Sequence, residues 1–255
     1  VQVEGIWRHW DFKKPPLCFI QERRAHLRQS SPMDFNQIFQ TVLIYALPVV
    51  LSITLHEAAH GYAAYRLGDD TAWRLGRVTL NPLAHIDPIG TILLPLMLYF
   101  STGGSFLFGY AKPVPVRFGA LNNPRRDMIW VALAGPMANL IQALFWAIVF
   151  MALALSGVQE EFFLKMAKGG VLVNVVMFAF NLFPIPPLDG GRIVTGLLPY
   201  QQAAAFSRIE PFGFFIVMAL VIGQVINTFW MIPIMNMTYG LLDLLVSPLR
   251  LLFGA

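Results

Sequence analysis

Apolar residues in this chain come in long uncharged runs rather than in amphipathic stripes. The first run, Ile38 to Leu55, is eighteen residues without a charge, the signature of a membrane-spanning helix. It predicts a helix from about Asp34 to Leu67, about 50 Å long against a hydrocarbon core of about 30 Å. The end carrying His60 to Arg66 is therefore expected to protrude, and Pro48 is placed to kink the helix one to two turns before His56. Gly68 to Asp87 is polar, and its alternating Arg77-Val78-Thr79-Leu80 reads as a short strand. Ile89 to Phe108 is apolar but broken by Ser101-Thr102-Gly103-Gly104-Ser105, so it either spans or enters and returns. In Ala111 to Phe118 prolines alternate with valines. Pro113 and Pro115 lack donors on one strand edge, which leaves the Val114 and Val116 amides on the other. Further apolar segments follow at Met128–Leu155, Gly170–Phe183, Pro211–Trp230 and Ile234–Leu252, with a short charged turn at Gln159–Lys168.

Composition supports a membrane setting, with 56% hydrophobic residues and 13% charged, far from a soluble globular profile. The expected fold is an all-α polytopic membrane protein of five to six transmembrane helices. A re-entrant or β-hairpin element lies between the first two motif-bearing regions. Residues 1–32 stand apart as a basic arm with Arg8, Lys13, Lys14, Arg23, Arg24 and Arg28, expected to be disordered or non-native. Residues 33–255 form one domain. No basic stripe interleaved with aromatics points to nucleic acid. Cys18 is the sole cysteine, which excludes an intrachain disulfide and a cysteine-based metal site.

Chemistry enters at His56-Glu57-Ala58-Ala59-His60. Two imidazoles at i and i+4 share a helix face and can hold one metal ion, and Glu57 sits one position round. A chance match at a solvated helix end is the alternative, but charges after so long an apolar run are costly without a function. Further on, Pro184-Ile185-Pro186-Pro187-Leu188-Asp189-Gly190-Gly191-Arg192 cannot continue a helix. Irregular backbone at membrane depth is tolerated only inside protein or along a wet cavity. Asp189 is thus either a second intramembrane acid, completing an open two-His, one-carboxylate sphere, or a loop residue shaping a turn outside the membrane.

The HEAAH motif in an apolar helix, followed by NLFPIPPLDGGR with Asn181 eight positions before Asp189, resembles the site-2 protease family of intramembrane zinc metalloproteases. GPMANL at Gly135 to Leu140 and NPLAHIDP at Asn81 to Pro88 are similar to its compact bacterial branch. The resemblance covers most of residues 35–200, without a PDZ or CBS domain. It implies one zinc ion per chain held by His56, His60 and Asp189, with Glu57 as catalytic base and acid and Asn181 near the substrate carbonyl. It also implies a transmembrane or membrane-peptide substrate.

Topology adds an independent constraint. For two helices to bring His56 and Asp189 to one metal they must run the same way, so one full span separates them and Ile89–Phe108 is re-entrant. Arg66, Arg74, Arg77, Lys112, Arg117, Arg125, Arg126, Arg192, Arg208 and Arg250 then share one side, against Lys165 and Lys168. By the positive-inside rule the site lies nearer the cytoplasmic face of the cell membrane. An unwound substrate needs partners for its freed backbone groups, and the Val114 and Val116 amides are candidates. A membrane metal transporter and a non-catalytic scaffold are the rival readings. Asn139, Asn174, Asn227 and Asn236 are expected to bond between helices, and His85 to be structural.

Overall fold

A computed structural model describes residues 35–93, 97, 111–158 and 160–252, and all regular structure among them is helical. The principal helices are α1 (Phe35–Arg66), the short α2 (Thr71–Arg74), α3 (Pro124–Leu155) and α4 (Glu161–Asn181). They are followed by α5 (Asp189–Leu197), α6 (Tyr200–Ser207), α7 (Glu210–Ile222) and α8 (Ile232–Leu252). Among the described residues, the long apolar runs give four helices able to cross a membrane: Phe39–Arg66, Pro124–Leu155, Glu161–Asn181 and Asn227–Leu249. Counting α6 and α7 as one broken span makes five. The protein is a multi-pass membrane protein.

Several expectations are corrected. The expected span Pro211–Trp230 stops at Ile222, because Gly223 follows and Gln224 takes φ 60°, a left-handed conformation that ends a helix. Its 13 residues extend only about 20 Å, short of a bilayer core. The charged turn expected at Gln159–Lys168 is mostly helix, since α4 begins at Glu161. Glu161 and Lys165 pair at i and i+4 there, which supports the first turns.

No strand forms at Arg77–Leu80 or in 111–118, so no β-hairpin occurs among the described residues. Three backbone donors of 111–117 go instead to partners outside any ladder. Lys112 N–H donates to His85 O (3.0 Å), Val114 N–H to Glu57 Oε2 (2.8 Å) and Arg117 N–H to Asp69 Oδ2 (2.6 Å). The segment is a strap pinned by side chains. Most of the expected re-entrant stretch 89–108 and the arm 1–32 lie outside the described residues.

The chain divides into two compact units. One takes residues 50–138 and 184–211. Its core groups Ala64, Leu121 and Val131, with Leu67, Val116 and Met128 packed against them. The other unit, 139–183 and 212–255 with the segment before residue 50, packs α8 on α4. There Asn139 Nδ2 donates to Asn174 Oδ1 (3.0 Å), and Asn174 Nδ2 to Gly170 O (2.9 Å), all buried. This is the expected bonding between helices for that pair. Asn227 bonds only locally, to Gln224 Oε1 (3.1 Å), and Asn236 is exposed.

Candidate metal centre

Helical spacing places His56 and His60 one above the other on the buried face of α1. Their Nε2 atoms are 3.0 Å apart. The second ring is oriented from behind, with His60 Nδ1 2.7 Å from Val131 O on α3. A ring nitrogen that close to a carbonyl oxygen carries the proton, so the Nε2 of a neutral His60 presents a lone pair.

Asp189 opens α5 directly after the proline-rich turn, and its Oδ2 lies 3.3 Å from His56 Nε2 and 3.2 Å from His60 Nε2. That oxygen is buried and has no hydrogen-bond donor aligned on it. A buried carboxylate oxygen facing an imidazole lone pair, with no donor to satisfy it, is costly unless a cation completes the set. The separations suit one. Tetrahedral zinc with bonds of about 2.0–2.2 Å sets its ligand atoms about 3.3 Å from one another. The three residues fit a zinc ion, with one coordination position left open.

Two glycines make the cluster possible. A Cβ on Gly135 of α3 would lie 2.3 Å from His60 Nε2 and 2.6 Å from His56 Cε1, so a residue with any side chain would collide with both ligands. Gly191 lets the first turn of α5 fold onto its own approach, where a Cβ would fall 2.1 Å from Pro186 N. Gly191 N–H caps the same turn by donating to Leu188 O (3.0 Å).

Glu57, next to His56 in the chain, is half-buried and accepts the Val114 N–H through Oε2. The comparisons with known proteins bear on that same set of residues. The sequence profile of Peptidase family M50 matches residues 44–168 and 160–224, which takes in His56, Glu57, His60 and Asp189. This chain belongs to Peptidase family M50.

The M50 chain is 37% identical over 199 residues to YwhC of Bacillus subtilis, covering 74% of this chain and 84% of that one. It is 31% identical over 209 residues to Rip2 of Mycolicibacterium smegmatis, covering 77% and 72% respectively. Both relatives carry a provisional designation as zinc metalloproteases. The zinc metalloprotease MJ0392 of Methanocaldococcus jannaschii is 25% identical over 165 residues, 64% of this chain and 36% of that longer one. No solved structure matches this chain. The protein is an M50 zinc metalloprotease with zinc as its cofactor, and among the described residues His56, His60 and Asp189 form the metal-binding group.

Other residues singled out by sequence fall as follows. Asn181 ends α4, its Nδ2 donating to Met177 O (3.0 Å). His85 is buried with Nε2 3.0 Å from Thr79 O, outside the metal group. Val114 is buried and Val116 half-buried. Sequence reasoning named Gly135 only as part of the GPMANL stretch, without its role, and missed Val131. The available signal was a glycine inside an uncharged helical run, where it costs stability unless something must come close.

It also missed Asp69, buried just beyond α1. Asp69 accepts from Thr71 N–H (3.0 Å), Thr71 Oγ1 (2.5 Å) and Arg117 N–H (2.6 Å). Burial pushes its carboxyl pKa up, but these hydrogen bonds and the Arg117 charge outweigh burial and hold it below the usual carboxylate value.

Proposed function

We propose that this M50 protease is an intramembrane endopeptidase that hydrolyses a peptide bond in a transmembrane or membrane-adjacent substrate. The observation that carries this reading is the buried convergence of His56 Nε2, His60 Nε2 and Asp189 Oδ2, with both histidines borne on a helix of membrane-spanning composition. When bound, zinc supplies a Lewis acid that polarises a carbonyl and makes a water acidic.

The remaining steps belong to the chain's own residues. Glu57 takes a proton from the attacking water and delivers it to the departing amine. Val131 O fixes the tautomer of His60, and Gly135 leaves both imidazoles their space. Asn181, eight residues before Asp189, donates to the substrate carbonyl as negative charge develops on it. Substrate lies extended along the strap. The Val116 N–H has no hydrogen-bond partner among the described residues, and in an extended chain it shares an edge with Val114 N–H. The excess of Lys and Arg around Arg66–Arg126 and at Arg192 and Arg208 favours a site nearer the cytoplasmic face.

The test uses purified protein in detergent with a model transmembrane substrate. His56→Ala, His60→Ala and Asp189→Ala should each lose bound zinc. Glu57→Gln should keep zinc and cut at least about 100-fold more slowly. Cleavage that survives in Glu57→Gln would sink the mechanism, and zinc binding with no cleavage of any membrane substrate would favour a transporter or scaffold.

A further inference from the structure

We infer that the backbone N–H of Val114 is a positioning group for Glu57, an inference that rests on Glu57 acting as proposed above. Val114 N–H donates to Glu57 Oε2 at 2.8 Å across 57 residues of sequence. Nothing in the HEAAH motif requires such a partner, because the two histidines and the carboxylate already complete the ligand set. The bond holds one carboxylate oxygen and leaves the other for proton transfer.

The donor is unusually well fixed for a segment without regular structure. Pro113 and Pro115 have fixed φ, and each restricts the residue before it to extended conformations. Val114 therefore has little freedom to turn its N–H away. Arg77 Nη2 donates to Lys112 O (3.0 Å) and to Pro113 O (3.3 Å), and Asp69 Oδ2 holds Arg117 N–H (2.6 Å).

The side chain of Val114 is seated as well. A Cβ on Gly61, one turn beyond Glu57 on α1, would lie 3.0 Å from Val114 Cγ1 and 2.9 Å from Val78 Cγ2. Valine side chains are stiff, so α1 and the strap approach as closely as Gly61 permits. Anchors on both sides of Val114 and a glycine seat beneath it make the Glu57 contact a consequence of the strap's placement. A general base held in one orientation does not lose time or energy finding its reactive geometry.

The test removes the donor. The α-hydroxy analogue of valine at position 114 converts the Pro113–Val114 amide to an ester, which leaves the side chain intact and weakens Pro113 O as an acceptor for Arg77. Zinc content should be unchanged, kcat should fall about 10- to 100-fold, as when an orienting partner is lost, and KM should stay within about threefold. Val114→Ala keeps the N–H and should lower kcat less than the ester does. Gly61→Ala, which pushes the strap outward, should lower kcat in the same way with zinc retained.

A readout independent of turnover is the Val114 amide signal in 15N-valine-labelled protein, identified by its loss in Val114→Ala. It should move in Glu57→Ala. An ester variant that cuts at the wild-type rate or faster, or an amide signal indifferent to Glu57→Ala, overturns the inference. Failure of the underlying mechanism looks different, because Glu57→Gln itself would then remain active.

Discussion

Replacing Gly135 with Ala adds one methyl group, and the structure makes it a test of the whole metal centre. The new Cβ would start 2.3 Å from His60 Nε2 and 2.6 Å from both His56 Cε1 and His60 Cε1. Reaching even 3.0 Å from the first requires about 0.7 Å of movement (3.0 minus 2.3), whereas a metal–ligand distance tolerates about 0.2 Å. His60 cannot retreat along its own plane, since Nδ1 is held at 2.7 Å by Val131 O one turn earlier on α3. Moving α3 away from α1 instead breaks that hydrogen bond and frees the tautomer. Either route displaces a ligand.

Opposing this, Ala is better than Gly in a helix interior by about 1 kcal/mol, which offsets part of the overpacking cost of about 1–3 kcal/mol, so the helix content of the metal-free protein should hold. Loss of an orienting contact alone weakens metal binding about 10- to 100-fold, and a displaced ligand should exceed that. The expected zinc affinity is thus lower by at least about 100-fold, roughly 2.7 kcal/mol, in a protein no less helical. Chelator competition gives the affinity, and circular dichroism gives the fold. Gly135→Ala binding zinc within about threefold of wild type would refute the reasoning, because it would mean that the helices yield without disturbing the imidazoles.

Gly191→Ala should also lower zinc content, here by moving Asp189. Its Cβ would meet the backbone atoms Pro186 N (2.1 Å) and Ile185 C (2.4 Å), so the start of α5 must shift; zinc titration showing wild-type stoichiometry and affinity would contradict this. Asp69→Asn should lower the thermal midpoint, since an amide cannot accept from Thr71 and Arg117 as a carboxylate does, a loss of about 2 kcal/mol or more. The folded pKa of Asp69 lies below its unfolded value. Its stabilisation is therefore complete above the unfolded pKa of about 3.9 and fades as pH falls through the folded one. Thermal scans across acid pH should show a decline in wild type that is reduced in Asp69→Asn, and parallel curves would count against it.

What the sequence revealed and what it hid follow from how each feature is encoded. His56 and His60 were legible because helical period alone brings them together. Asp189 was legible because three prolines in four residues have few uses at membrane depth. The strap misled because alternation of Pro and Val specifies an extended edge but not its partner. That partner turned out to be three side chains, Glu57, Asp69 and Arg77, far away in sequence. The charges at Glu161 and Lys165 suggested a turn by composition, yet their spacing of four is what a helix uses. Gly135, Gly191 and Gly61 carry the subtlest information. Each matters through an atom it lacks, and an absent atom has meaning only once the group that fills its space is known. A glycine inside an apolar helix is therefore a question put to the structure. In this chain Gly135 is answered by the two imidazoles, Gly191 by the turn before Asp189, and Gly61 by the strap that holds Glu57.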